Sequence, residues 1–301
     1  MSNKKFMVKC IMALMLCLIG LASCGDKVPA NEIHYTTIDN SVLPIKNLFY
    51  FGEGRIISNS YNPEKNVCIL KLDQDVTEIS KEAFSGCSSL TSITIPESVT
   101  KIGEYAFFCC SSLRIISIPS SVTEIGDKAF YCCSSLRSIS IPSSVTEIGD
   151  KAFYNSTSLT SISIPPSVTK IGEWAFSGCS SLTSVTIPPS VTEIGERAFQ
   201  HCENLTSITI PESVTEIGEY AFYRCSNLTS ISIPNSVTEI GDGVFSYCSS
   251  LTSITIPESV TEIGGYVFEG CSSLTEVRVP TWCDVNDRAF SHCPNVQIIY
   301  Y

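Results

Sequence analysis

Val99-Thr-Lys-Ile-Gly-Glu-Tyr-Ala-Phe-Phe-Cys-Cys-Ser-Ser-Leu-Arg-Ile-Ile-Ser-Ile-Pro119 decides the fold, because near-copies of it recur every 23 residues from Val76 almost to the C-terminus. A fixed period of this size marks a solenoid, in which each unit buries its apolar face only by stacking on its neighbours. Units begin at Val76, Val99, Val122, Val145, Val168, Val191, Val214, Val237 and Val260, and a tenth, one residue out of step, begins at Trp282. Positions are counted from that first residue, so Val99 is +0 and Pro119 is +20.

Within a unit the apolar positions are +0, Ile at +3, Ala-Phe at +7 and +8, Cys at +11, Leu at +14, and Ile at +17 and +19. The last pair, as in Ile93-Thr-Ile95, is β-branched with period two and predicts a short strand with one face inward. Val at +0 and Ile at +3 predict a second short extended segment. The Glu-Tyr-Ala-Phe-type segment between them is long enough for one helical turn. Gly at +4 (Gly103, Gly126, Gly149, Gly172, Gly195, Gly218, Gly241, Gly264), exchanged for Asn286 in the last unit, predicts positive φ there, with Ser80 breaking the rule. The expectation is one elongated domain of mostly short β-strands with one short helical turn per repeat.

The array occupies 76–301. Before it, residues 1–23 read as a signal segment: Lys4, Lys5 and Lys9 precede an apolar run, Ile11 to Leu21, that is short for a membrane span. That segment ends in Leu21-Ala22-Ser23-Cys24, which resembles the lipobox of bacterial lipoproteins. The resemblance implies cleavage before Cys24, lipidation of its thiol, and a membrane-anchored protein at the outer membrane or cell surface. Multiple acyl chains meet the requirement of stable anchoring for more than one lipid. Residues 24–45 lack periodicity and read as a tether whose final part is open to being ordered. Residues 46–75 carry strand-like runs at Leu48–Phe51, Arg55–Ile57 and Val67–Leu72, and read as an N-terminal cap containing a degenerate repeat.

Taken together, the order Val-x-x-Ile-Gly, Ala-Phe, Cys-x-x-Leu, Ile-x-Ile-Pro resembles the 23-residue leucine-rich repeat of the BspA-like surface-protein family. That likeness implies a right-handed leucine-rich-repeat solenoid and a role in adhesion or ligand binding, with an extracellular or host protein or glycan as partner. Departures are few: Ser156 replaces the column cysteine, and Val244 and Val267 replace alanine.

The formal net charge is -11, and -14 once Lys4, Lys5 and Lys9 are removed with the signal. That sign argues against a nucleic-acid partner, whose phosphates call for concentrated Lys and Arg. No nucleophile, acid–base pair or phosphate loop accompanies His34, His201 or His292, so neither catalysis nor a cofactor is expected. Of the 16 cysteines, nine share +11 and read as free structural thiols without metal. Cys109 and Cys132 share +10 in adjacent units and are a candidate disulfide, whereas Cys68 and Cys283 read as lone thiols.

Three surfaces remain. The outward strand positions +16 and +18 carry hydroxyls, among them Ser92, Thr94, Ser184, Thr186, Ser207 and Thr209, which serve either as a solvated face or as a contact surface. Aromatic residues at +6 and +9, namely Tyr105, Phe108, Tyr131, Tyr154, Trp174 and Tyr220, are candidate ligand anchors. Acidic columns at +2 and +5 read as solvated edges, with calcium unsupported by any loop motif. A binding module competes here with a structural spacer or decoy and with a capture protein for nutrient uptake.

Overall fold

A computed structural model describes residues 27–45 and 51–301. The signal segment, Cys24 and the expected strand residues Leu48 to Tyr50 lie outside the described residues. The array is a β-solenoid in which every unit contributes two short parallel strands. The first covers +2 and +3, as in Lys101–Ile102 and Glu124–Ile125. The second covers +16 to +18, as in Ser138–Ser140 and Ser161–Ser163. Pairing is in register with a shift of one unit, so Ile162 faces Ile139 on one side and Val185 on the other. Burial alternates exposed, buried, exposed along the second strand, which is the period-two pattern expected from its sequence.

The core is a set of columns. Phe84, Phe107, Phe130, Phe153, Phe176, Phe199, Phe222, Phe245 and Phe268 are fully buried, and Phe107 stacks on Phe130 with ring centroids 5.2 Å apart. Val at +0, Ala at +7 and Leu at +14 line the same interior.

The segment expected to form a helical turn is a run of turns instead. Its amides divide by parity. Ala106, Phe108 and Cys110 donate within the unit to Gly103, Tyr105 and Phe107, whereas Tyr105, Phe107 and Cys109 donate to Asp127, Ala129 and Tyr131 of the next unit. A helix would need all of these amides for itself. The alternation is made by residues of positive φ at +6 and +10, such as Tyr105 at 56°, Cys109 at 55°, Lys128 at 54° and Cys132 at 56°.

The glycines at +4 therefore have a different reason from the one expected. None has positive φ. A Cβ on Gly195 would lie 2.7 Å from the Glu173 amide nitrogen, and one on Gly218 would lie 2.5 Å from that of Glu196. At Gly103, Gly126, Gly149, Gly172, Gly195, Gly218 and Gly264 the backbone lies against that of the previous unit, and a Cβ there would come within 3.0 Å of it.

The N-terminal end is closed by three antiparallel strands. These are β1 (Glu32–Thr37), β2 (Ile56–Asn62) and β3 (Val67–Leu72), in the order β2-β3-β1, with β1 pairing next to Leu90–Thr94 of the first unit. Two readings of the sequence change here. The stretch expected to be a tether holds a strand, and the chain is docked from about residue 29 onward, because the Ala30 carbonyl accepts the Val76 amide at 2.7 Å and the Ser98 hydroxyl at 3.2 Å. In place of a degenerate parallel turn, β3 runs antiparallel to an inserted β1. Tyr35 ties the cap together: its hydroxyl donates to Asn59 Oδ1 at 2.6 Å and accepts from the Leu43 amide at 3.1 Å. Phe51 meets Phe84 edge-on at 5.7 Å and ends the phenylalanine column.

At the other end the last strand, Gln297–Tyr300, pairs with Glu276–Val279 and leaves its outer edge open. Cys283 fills the buried place that Val holds in the other units: its amide donates to Pro280 as that of Val260 does to Pro257, and Trp282 is displaced to the surface.

Candidate functional site

The turn edge gathers the aromatic candidates. Tyr105 meets Phe108 edge-on at 5.4 Å; Phe108, Tyr131 and Tyr154 stack at 5.0 and 4.6 Å; and Trp174 follows at 6.1 Å. Tyr220 joins through Arg197, whose guanidinium lies 4.8 Å from the Trp174 ring and 4.7 Å from the Tyr220 ring. Cations are interspersed among these aromatics, mostly at +6 itself, a pattern missed by attending to the rings alone. Lys128 lies 4.6 Å from Tyr105, with Lys81 at 5.6 Å, and Lys151 lies 5.7 Å from Trp174. Each such contact stabilises by about 0.5–1 kcal/mol at an exposed site. The ring faces are thus largely taken up by neighbouring units, and an incoming ligand meets mostly edges and side-chain ends.

The strand face is different. The hydroxyls of Ser138, Ser140, Ser161, Ser163, Ser184, Thr186, Ser207, Thr209, Ser230, Ser232, Ser253 and Thr255 are exposed. Their neighbours in the sequence use their hydroxyls internally. Thr183 and Thr206 at +15 donate at 3.3 Å to the carbonyl one unit back, and Ser167 and Ser190 at +22 donate to Val145 and Val168. Ser92 at the cap end is partnered with Thr36 at 2.6 Å, and Thr94 beside it is half-buried. The hydroxyls of Ser184, Thr186, Ser207 and Thr209 all face solvent in the middle of this surface.

Between the +2 and +5 columns runs a shallow trough floored by glycine and lined by Lys101, Glu104, Glu124, Asp127 and Glu147. Its charge is partly neutralised by ion pairs of Lys101 with Glu124 at 2.9 Å and of Lys170 with Glu193 at 2.8 Å. Aspartates at +5 also brace the backbone, since Asp127 and Asp150 accept the amides of Asp150 and Glu173 at 2.9 Å. Among the described residues no group of three or more His, Cys, Asp or Glu is placed to hold a metal.

The +11 thiols are free, and those after Cys87 of the first unit reach one unit back. Cys179, Cys202, Cys225 and Cys248 donate to the carbonyls of Phe153, Phe176, Phe199 and Phe222 at 3.3 Å. Burial pushes the Cys179 thiol up to about 12 and those of Cys202, Cys225 and Cys248 well above their usual range. Ser156 takes the same place and donates to Phe130 at 3.2 Å. The column selects a small donor, which explains the one exchange of cysteine for serine.

A family model, the BspA-type leucine-rich-repeat region, matches residues 55–183 and 175–297 in six copies. The chain belongs to this BspA-type leucine-rich-repeat family. Its fold is similar to that of a leucine-rich repeat protein from Bacteroides ovatus, with 37% identity and a TM-score of 0.71 over 75% of this chain and 59% of that one. The BspA-type chain thus spans about 59% of that relative's length. A Treponema pallidum leucine-rich repeat protein has 29% identity and a TM-score of 0.52, covering 76% of this chain and 90% of its own. A third, from Eubacterium ventriosum, has 26% identity and a TM-score of 0.51 over 76% and 71% of the two chains. Comparison with curated protein sequences found no match. The BspA-type assignment accords with the repeat register, the parallel ladders and the phenylalanine column described above.

Proposed function

We propose that this BspA-type protein is a non-catalytic cell-surface lipoprotein, anchored through Cys24, that binds an extracellular glycan or protein on its strand face. The observation that carries the reading is the set of twelve exposed +16 and +18 hydroxyls without a protein partner, from Ser138 to Thr255, beside rows whose hydroxyls, such as those of Thr183 and Thr206, are mostly used internally. An uncharged, rigid surface of free donors and acceptors suits a ligand that offers the same groups. The mature chain probed on glycan and matrix-protein arrays should give saturable binding. Placing charges on the centre of the face, Ser184→Glu with Ser207→Glu, should weaken that binding at least tenfold without lowering the melting temperature. Unchanged affinity would remove the strand face from the reading. Anchoring is tested separately: Cys24→Ala should abolish incorporation of labelled fatty acid and release the protein from membranes.

A further inference from the structure

We propose that Cys109 and Cys132 form a disulfide that staples units two and three, by exchange with an external small-molecule disulfide. Two observations meet at this interface. The first is the thiol pair. The two cysteines occupy +10 in successive units, share the same left-handed backbone at φ 55° and 56°, and are half-buried. The Cys109 amide donates to the Tyr131 carbonyl at 2.8 Å, which holds the two turns in register. Both thiols are free, and neither is tied to a backbone carbonyl. Residues one rung apart are about 4.8 Å apart, inside the Cα range of a disulfide. The +11 thiols differ in both respects: from Cys110 to Cys271 they are buried, and they are committed to phenylalanine carbonyls.

The second observation lies on the opposite side of the same interface. The strand-face sheet is interrupted there: Ile115–Ser117 of unit two pairs back to Leu90–Thr94, Ser138–Ser140 of unit three pairs forward to Ser161–Ser163, and the two are not joined. Arg114 and Arg137 stand in successive rungs at +15, where the units from four to nine have threonine. Like charges in facing positions oppose pairing. The staple closes on the turn edge the interface that the arginines loosen on the strand edge.

The chemistry balances without a bound cofactor. One thiol loses its proton and attacks the external disulfide, releasing one small thiol; the second thiol then displaces the other. Two S–H bonds and one S–S bond are exchanged for one S–S bond and two S–H bonds.

The test uses the mature full-length chain incubated with oxidised glutathione and then digested and analysed by mass spectrometry. The expected result is a Cys109–Cys132 cross-linked peptide pair, lighter by two hydrogens than its reduced parts, with the +11 thiols alkylated only after unfolding. In Cys109→Ser, Cys132 should instead retain glutathione. Hydrogen exchange at the Arg137 amide should slow at least tenfold on oxidation of the parent chain and not in Cys109→Ser. Stable glutathione adducts on both cysteines of the parent, or two thiols left reduced, would overturn the cross-link. An Arg137 amide indifferent to its formation would overturn the stapling of the seam.

Discussion

Units four to seven and unit eight follow one plan, yet the first four are pressed together and the last is held off. From Phe153 to Phe222 the core rings stack at 5.4, 5.4 and 5.5 Å, and both parallel ladders run on. Between units seven and eight neither ladder continues. The Phe222–Phe245 and Phe245–Phe268 spacings widen to 5.7 and 5.8 Å. The rings widen where Val244 and Val267 put branched side chains in place of the buried alanine of the other units, although both ladders resume between units eight and nine. Gly241 records the slack, because a Cβ there would meet nothing nearer than Glu219 Cγ at 3.4 Å, whereas its counterparts meet backbone at 2.5–3.0 Å.

The largest test of that contrast is glycine to alanine at +4. Gly195→Ala, with its new Cβ driven against the Glu173 nitrogen at 2.7 Å, should cost about 3 kcal/mol in denaturant unfolding, at the upper end of ordinary overpacking. Gly241→Ala should cost less than about 1 kcal/mol, since the site has ordinary contact distances. Equal losses at the two sites would break the comparison. Next in size, Ala175→Val should reproduce the loosened junction within the tight region. A loss of about 2 kcal/mol should accompany faster hydrogen exchange at the Thr183 amide, which bonds Thr160 at 3.2 Å.

Ser156 sharpens the contrast chemically. Ser156→Ala leaves the buried Phe130 carbonyl without its 3.2 Å donor and should cost about 1 kcal/mol, whereas Ser156→Cys should be neutral to within about 0.5 kcal/mol. The smallest effect separates the cap from the array. The hydrogen bond from His34 and the nearby Lys71 hold the Glu32 carboxyl below its usual range. A lowered folded value means stabilisation that is present above the unfolded pKa and lost as pH falls through the folded one. Acid should therefore loosen β1 before the array, with amide exchange at Leu72, which bonds the Asn31 carbonyl at 2.9 Å, as the readout, and Glu32→Gln should remove that pH dependence.

Much of this was legible from the repeat. The period, the inward pair at +17 and +19, the Ala-Phe core and the thiol column all follow from apolar residues whose neighbours are copies of themselves. What was not legible depends on backbone groups or on distant partners. The segment around Tyr105 has a length that suits a helical turn, and nothing in its side chains announces that every second amide is claimed by the next unit. Glycine at +4 suggested an unusual φ, but its cause is the backbone of the unit below. β1 escaped notice because His34 is buried along with Ile33 and Tyr35, which removes the alternation that marks a one-sided strand. For the surfaces, columns of Ser/Thr and of aromatics looked equally available in sequence. Only their partners distinguish them: Lys128 and Arg197 occupy ring faces, while Ser184 and Thr186 have hydroxyls to spare.

The interrupted ladders between units seven and eight have a mechanical meaning. Hydrogen bonds between units run along the solenoid axis, so a pull on the two ends loads the interfaces in series, and the chain yields at whichever holds least. Units seven and eight remain joined chiefly by the turn edge, through Tyr220, Phe222 and Arg224 donating to Asp242, Val244 and Ser246 at 2.9 Å. Under tension this interface is the fuse: it would part first and lengthen the molecule, keeping the capped seven-unit segment with the hydroxyls from Ser138 to Ser232 together and separating Ser253 and Thr255 from them.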